Sequence, residues 1–327
     1  MRYVKLQWSG AIGVLLAFAL TFPVAAAAAT VDPYPSKPVR IIIPFPPGGA
    51  NDILGRLIAT KLSERLGKPF ISDNRSGAGG MMGAEMAANA KPDGYTLLIV
   101  AASYSVNPSL YKMPYKPSDL IPVAGIGSGP FLLVVHPSVP AHSVKEFIAL
   151  AKRQPGKLNC ASPGIGTSMH ITIELFKAMT GLDFEIVQFK GGNPAMMDVM
   201  GGHTEMTIGS VITVLPHIKS GKLRVLGVSG KKRSPMLPDV PTIAEAVPKF
   251  EATNWWGIVA PAGTPKAIID KLNKELDVVL AMDDVKKVFE SQGAEAELMP
   301  PAEFGQYIES ETAKWGGIIK KLGIKGE

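Results

Sequence analysis

Three glycine turns, each following an apolar run and the first two leading into helix-like stretches, are the places where this sequence can do chemistry. The first is Pro44-Phe45-Pro46-Pro47-Gly48-Gly49-Ala50-Asn51-Asp52. A strand ends there and a helix begins, so backbone N–H groups without intrahelical partners gather at the positive end of a helix dipole, which suits an anion. Gly48 and Gly49 let the backbone approach a ligand with no Cβ in the way. The loop has neither the lysine nor the spacing of a P-loop, which disfavours a nucleotide. A plain turn with Asn51 or Asp52 as N-cap fits the same residues. Asp52 would repel a carboxylate, so its expected work is capping the helix or meeting a ligand amine or a water.

The second turn, Ser162-Pro163-Gly164-Ile165-Gly166-Thr167-Ser168-Met169-His170, repeats the pattern. Thr167 and Ser168 offer hydroxyls that either cap the helix or hold a ligand oxygen. The third, Phe189-Lys190-Gly191-Gly192-Asn193-Pro194, places Lys190 where it can pair with an acidic ligand, although a solvated lysine is the commoner fate. Neither Phe45 to Asp52 nor Gly164 to His170 contains Arg or Lys. A carboxylate held there is expected to rest on neutral N–H and O–H donors, each bond to the charged group contributing roughly 1.5–3 kcal/mol.

Nothing in the chain demands catalysis. Ser168 and His170 are two apart, so on a helix they do not face each other. No G-x-S-x-G elbow occurs, the carboxylates form no pair of catalytic spacing, and no Cys/His set supports a metal. The single cysteine, Cys160, excludes an internal disulfide and reads as a small buried residue.

The elements that must position these turns alternate. Val39 to Phe45, Thr96 to Ala101, Phe131 to His136, Leu158 to Ala161, Phe184 to Phe189 and Leu223 to Ser229 read as strands. Helices are expected from about Asp52 to Leu66 and from about Ser168 to Thr180. Another follows a capping box at Ser143 and Glu146, one starts with Thr264 as N-cap and Pro265 at its first position, and one follows Pro300-Pro301. This βαβα order implies parallel sheets, whose ligands bind outside the carboxyl ends of the strands. The first two turns lie more than a hundred residues apart, which suits two lobes facing across a cleft.

With 327 residues, 46% apolar and 19% charged, the chain can build two cores and is not a disordered polyelectrolyte. Arg2 and Lys5, the uncharged stretch from Gly10 and the alanine run to Ala29 read as an export signal, with Ala27 and Ala29 fitting the cleavage pattern. A retained anchor is the competing reading; the alanine tail favours cleavage. Loss of Arg2 and Lys5 lowers the net charge from +6 to +4. That excess is too dispersed for nucleic acid: Lys231-Lys232-Arg233 is the one basic triplet and no aromatic adjoins it.

Read in order, these segments resemble the solute-binding receptors of the tripartite tricarboxylate transporters, the Bug family. The resemblance runs through Tyr34-Pro35-Ser36-Lys37-Pro38, Pro46-Pro47-Gly48-Gly49, Asp73-Asn74-Arg75-Ser76-Gly77-Ala78-Gly79-Gly80, Pro92-Asp93-Gly94-Tyr95, Lys190-Gly191, Leu237-Pro238-Asp239-Val240-Pro241-Thr242 and Ala260-Pro261-Ala262-Gly263-Thr264-Pro265. It implies an α/β fold like the type II periplasmic binding proteins, two lobes with mixed sheets around a ligand cleft. After a signal peptide over residues 1–29, lobe 1 is expected to combine residues 30–129 and 258–327, and lobe 2 to span 130–257. Crossing strands are expected near Phe131 and Gly257. The implied ligand-binding set is Phe45, Pro47, Gly48, Gly49, Ala50 and Asp52, then Ser103, then Gly164, Gly166, Thr167, Ser168 and His170, then Lys190 and Gly191, and finally Gly209 and Ser210.

The same resemblance implies a monomeric periplasmic receptor for a small carboxylate, working with integral membrane permease subunits. It implies no cofactor, metal, nucleic acid or catalysis. A sensory input protein for a membrane kinase, or an enzyme on the same scaffold, are the alternatives. Three positions depart from the family pattern: Phe189 stands for a tyrosine, Gly209 for an aspartate and Cys160 for an aromatic residue. The first two are expected at the pocket floor, where losing a hydroxyl and a carboxylate points to a less polar ligand or one without an amine. Trp255-Trp256 is expected to pack in the core or at the hinge.

Overall fold

The computed structural model describes residues 1–4, 34–291 and 293–326. The expected leader lies, beyond its first four residues, outside the described residues. The fold is carried by the unit Tyr34–Glu327.

In chain order the elements are β1 (Val39–Ile43), α1 (Ala50–Leu66), β2 (Phe70–Asn74), α2 (Met81–Ala88), β3 (Thr96–Ala101), α3 (Ser103–Leu110), β4 (Leu120–Val135), α4 (Val144–Arg153), β5 (Asn159–Ser162), α5 (Ser168–Thr180) and β6 (Glu185–Gln188). Then come α6 (Gly192–Met200), β7 (Met206–Ser210), α7 (Val211–Lys219), β8 (Arg224–Val228), β9 (Thr253–Pro261), α8 (Lys266–Ala281), α9 (Asp283–Ser291), β10 (Glu295–Met299) and α10 (Pro301–Leu322). Among the described residues the strands form one mixed sheet in the order β2-β1-β3-β9-β4-β7-β5-β6, with β8 and β10 also paired to β4. Parallel blocks β2-β1-β3 and β7-β5-β6 flank β9 and β4, which are antiparallel to each other and to their neighbours.

The local signals translate directly into these elements. Leu54, Ile58 and Leu62 of α1 are buried at helical spacing, and Gly67 ends the helix in the left-handed conformation. Cys160 is fully buried, and burial pushes its thiol pKa up. The cap of α4 is shifted from a simple capping box. Ser143 Oγ accepts the Glu146 N–H at 3.2 Å, but Glu146 Oε2 accepts the His142 N–H at 2.7 Å. The expected start of α8 is off by one residue. Pro265 is itself the N-cap, its carbonyl accepting from Ile268 and Ile269, and Thr264 donates its hydroxyl to the Pro261 carbonyl at 2.7 Å.

The apolar interior changes hands along β4 and just before β9. Ile126 and Trp256 pack with β1, β3, α1 and α8, whereas Phe131, Phe250 and Ala252 pack with α4, α5 and β7. The first changeover falls at residues 127–131, the second at 252–255, a few residues before Gly257. Ser229 ties both crossings together. Its Oγ accepts the Phe131 N–H at 2.8 Å and donates to the Ala252 carbonyl at 2.5 Å, while its backbone bonds both segments again. The last helix joins both halves: Phe304 packs beside Trp255, whereas Trp315 and Ile319 belong to the core of α5 and β7.

Candidate functional site

Five helices begin where parallel strands end, around one cavity of about 300 Å3: α1 after β1, α3 after β3, α5 after β5, α6 after β6 and α7 after β7. Their first residues line it, through Gly49, Ala50 and Asn51, Ser103, Thr167 to Met169, Gly191 to Pro194, and Ser210 with Thr213. Phe45, Pro46, Pro47, Ala101, Pro163, Lys190 and Asn254 complete the lining. No aspartate or glutamate lines the cavity among the described residues. Each helix start brings a partial positive charge, so their convergence without an opposing acid makes an anion cradle.

The first loop is held rigidly. Asp52 Oδ2 accepts the Gly48 N–H at 2.9 Å, and Oδ1 accepts from Arg56 Nε at 2.8 Å and Asn74 Nδ2 at 2.9 Å. Asn74 also donates to the Phe45 carbonyl at 3.1 Å. Burial alone would raise the Asp52 carboxyl, but the hydrogen bonds from Arg56, Gly48 and Asn74 outweigh it and hold it below the usual carboxylate range. Gly48 takes φ +83°, which favours glycine, and its N–H is already used. The N–H groups of Gly49, Ala50 and Asn51 find no acceptor among the described residues and remain for a ligand. Asn51 Oδ1 accepts the Trp256 indole N–H at 2.8 Å, which leaves its Nδ2 as the end free to donate.

Across the cavity, Thr167 is the N-cap of α5. Its Oγ1 accepts from the His170 N–H at 3.2 Å and donates to the Gly164 carbonyl at 2.8 Å, so its hydroxyl proton is committed within the loop. Ser168, whose Oγ makes no hydrogen bond among the described residues, is the available hydroxyl. Gly166 has φ +79°, and a Cβ there would stand 2.7 Å from the Tyr111 hydroxyl, so this position takes only glycine. The loops of the two halves approach closely: a Cβ on Gly48 would lie 3.7 Å from Asn193 Nδ2.

Of the expected set, the cavity brings together Phe45, Pro47, Gly49, Ala50, Ser103, Thr167, Ser168, Lys190, Gly191 and Ser210. Gly48 and Asp52 lie behind the first loop as its brace. Gly164 and Gly166 shape the second loop without lining the cavity. Gly209 points away from it, because a Cβ there would meet Val214 Cγ1 at 2.6 Å against α7. Phe189 packs against the core of α6 and α7 instead of forming the cavity floor. Asn51, which the sequence offered only as a helix cap, and Met169, Asn193, Thr213 and Asn254 line the cavity outside the expected ligand-binding set. The first four sit in opening turns of helices, where proximity to the glycine turns is a usable signal; Asn254 sits in a strand and has none.

A larger groove of about 500 Å3 lies between Ser128–Pro130, Gly230–Met236, Glu290 and Gly293–Glu295. It gathers no helix starts, and two of its cations are paired, Lys231 with Glu251 and Arg233 with Glu245. The smaller cavity therefore has the stronger claim as the site.

His170 is buried beneath the second loop, 4% exposed, with Nδ1 unpartnered among the described residues and Nε2 3.7 Å from Glu174 Oε1. Burial pushes its pKa down to about 4. An unfolded histidine titrates near ~6.5, so between those values the unfolded chain binds the extra proton. The stability contribution is complete above the unfolded value and is lost as pH falls toward 4, by up to about 3 kcal/mol. Burial pushes the Glu174 carboxyl up, which acts in the opposite direction above the ordinary carboxylate range. Denaturant unfolding is expected to show stability falling as pH drops from 6.5 toward 4, with His170→Gln flattening that slope. Identical slopes would show that His170 does not control it.

Comparison with known proteins gives a consistent picture. The family model described as tripartite tricarboxylate transporter family receptor matches residues 54–324. Protein BugT of Bordetella pertussis is 37% identical over 320 residues, 96% of this chain and 97% of that one. The structure of R. palustris Rpa4515 with adipate superposes with a TM-score of 0.86 at 36% identity, covering 90% of this chain and 100% of that chain. MatC (Rpa3494) from Rhodopseudomonas palustris with bound malate gives a TM-score of 0.80 at 29% identity, over 88% and 100% of the two chains.

Proposed function

The chain belongs to the tripartite tricarboxylate transporter receptor family, and from that premise we propose that it is a periplasmic receptor that encloses a small dicarboxylate and delivers it to membrane permease subunits. The observation that carries this reading is the convergence of five helix starts on one acid-free cavity of about 300 Å3. One carboxylate fits the donors of Gly49 to Asn51 and Ser168. A second fits the start of α6, where Lys190 adds a full positive charge. Phe45, Pro163, Met169 and Ala101 supply apolar lining for the carbon chain between them. Adipate and malate, found with two of the structural relatives, are both dicarboxylates.

Capture by closure is supported by the two crossings and the Ser229 tie between the halves. A binding role, as opposed to catalysis, is supported by the arrangement of Ser168 and His170. His170 turns Nε2 toward Glu174, and no hydrogen bond joins it to Ser168. Export is supported by the charged start and alanine run of the leader.

The test uses protein recovered from the periplasm of expressing cells. Its mass is expected to correspond to cleavage near Ala29. A thermal-shift panel of acids is expected to show at least one dicarboxylate stabilising the protein by roughly 2.7 kcal/mol at a hundred times its Kd. Small-angle scattering with that acid is expected to show a smaller radius. A panel in which no acid shifts the melting temperature overturns the carboxylate reading. An intact Met1 on the exported protein overturns cleavage.

A further inference from the structure

We propose that Trp256, which does not itself line the cavity, is a positioning residue for the bound acid: it holds the Asn51 amide with its oxygen turned away and its NH2 end toward the ligand. The proposal rests on the carboxylate reading above and deepens it.

Trp256 lies in β9, paired with Ala101 of β3 and Gly127 of β4, and is 2% exposed. Its ring packs in the core of β1, β3, α1 and α8. From there Nε1 donates to Asn51 Oδ1 at 2.8 Å. An indole N–H can only donate, so the atom facing it is the amide oxygen. The two ends of an asparagine side chain are otherwise distinguished only by their surroundings. This one bond therefore decides which end is left for the cavity that Asn51 lines. Nδ2 finds no acceptor among the described residues, and unlike the buried orphan atoms of the fold it keeps accessible surface.

The alternative for Asn51 shows what the bond prevents. Asn51 is the second residue of α1, whose N-cap Gly49 has no side chain to offer. An asparagine oxygen in that turn is drawn to the free N–H groups and to the positive end of the helix. Those are the N–H groups of Gly49, Ala50 and Asn51, which have no acceptor among the described residues and are the ones the acid needs. An Asn51 turned on its own helix would compete for them and would face the carboxylate with an oxygen. Trp256 removes that competitor and adds a donor in its place. The other acceptor of the first turn, Asp52, is drawn off in the same way by Gly48, Arg56 and Asn74. A carboxylate only accepts, so a cradle whose nearby acceptors are all engaged elsewhere fits it.

The experiment is a calorimetric double-mutant cycle with Asn51→Ala, Trp256→Phe and the pair. Succinate, malate, glutarate and adipate are the probes, and the tightest is carried through the cycle. Asn51→Ala is expected to weaken binding about tenfold and Trp256→Phe about fivefold. The double variant is expected to bind like Asn51→Ala, because Trp256 acts through Asn51; independent roles would multiply to about fiftyfold. A second readout is the indole N–H proton of Trp256 by NMR. An acid that accepts from Nδ2 polarises the amide and strengthens Oδ1 as an acceptor, so the signal is expected to move downfield on binding, and Asn51→Ala to abolish the response. If Trp256→Phe does not fold, as judged by circular dichroism, that signal decides, assigned as the indole resonance that Asn51→Ala displaces in the free protein. A Trp256→Phe protein that binds like the wild type, multiplied losses in the double variant, or an indole signal that ignores a bound acid overturns the proposal and leaves the carboxylate reading standing. Binding of none of the four acids overturns both.

Discussion

Ser168→Asp is expected to abolish acid binding while leaving the fold at least as stable. Ser168 is the first residue of α5, behind the Thr167 cap, and lines the cavity. An acidic side chain in the first turn of a helix meets the positive end of its dipole and contributes about 0.3–1 kcal/mol of stability. The same carboxylate would occupy the place offered to the ligand. Two like charges about 4 Å apart at an effective dielectric constant of ~20 repel by roughly 4 kcal/mol, and the start of α5 would already be neutralised. The expected loss is at least about a hundredfold in affinity, read by calorimetry, with an unchanged or slightly raised melting temperature. Ser168→Asn, similar in shape and uncharged, should lose far less. If the Asp variant binds within about tenfold of the wild type, the acid does not sit against α5.

Gly49→Val is expected to weaken binding by about thirtyfold or more, again in a folded protein. Gly49 is the N-cap of α1 with φ −86° and ψ 171°, a conformation open to any residue. A Cβ there would meet only the Pro46 carbonyl oxygen, at 3.8 Å. The glycine that the turn itself requires is its neighbour Gly48, with φ +83°. A valine at Gly49 therefore costs the fold little beyond a poorer cap, about 1 kcal/mol. It places two methyl groups over the N–H groups of Gly49 to Asn51, and losing one or two charge-assisted bonds gives the stated factor. Lys190→Ala removes an exposed cation and is expected to cost only severalfold, in the manner of a surface ion pair. A folded Gly49→Val that binds normally, beside a Lys190→Ala that does not bind, would make the site a lysine ion pair and not a backbone cradle.

Much of this architecture was legible in the sequence because its signals are local. Thr96 to Ala101 and Ser168 to Thr180 form the expected strand and helix residue for residue, since breakers and caps bound them on both sides. The glycine turns at Gly48 and Gly166 were recognisable because positive φ selects glycine. The order of strands and helices implied the rule that places ligands at the carboxyl ends of parallel strands, and the loops that rule singles out line the cavity of about 300 Å3. The start of α8 was misplaced by one residue because proline serves either as N-cap or as first helical residue, and only the carbonyl geometry at Pro265 decides which.

By itself, then, the sequence determined the elements and the turns between them, and it showed that the first two turns carry no Arg or Lys. These depend on interactions within a few residues. Only the tertiary structure decided which side chains in those turns reach the cavity and which are already committed elsewhere, because that depends on what packs behind each one. Thr167 lines the cavity but donates its hydroxyl to the Gly164 carbonyl, and a Cβ on Gly209 would lie against Val214, away from the cavity. Asn51 became an oriented donor through Trp256, 205 residues away in sequence. Asn254 lies in a strand whose local pattern announces only burial. Its place in the cavity exists because β9 returns between β3 and β4, a pairing of segments more than a hundred residues apart that no local signal encodes.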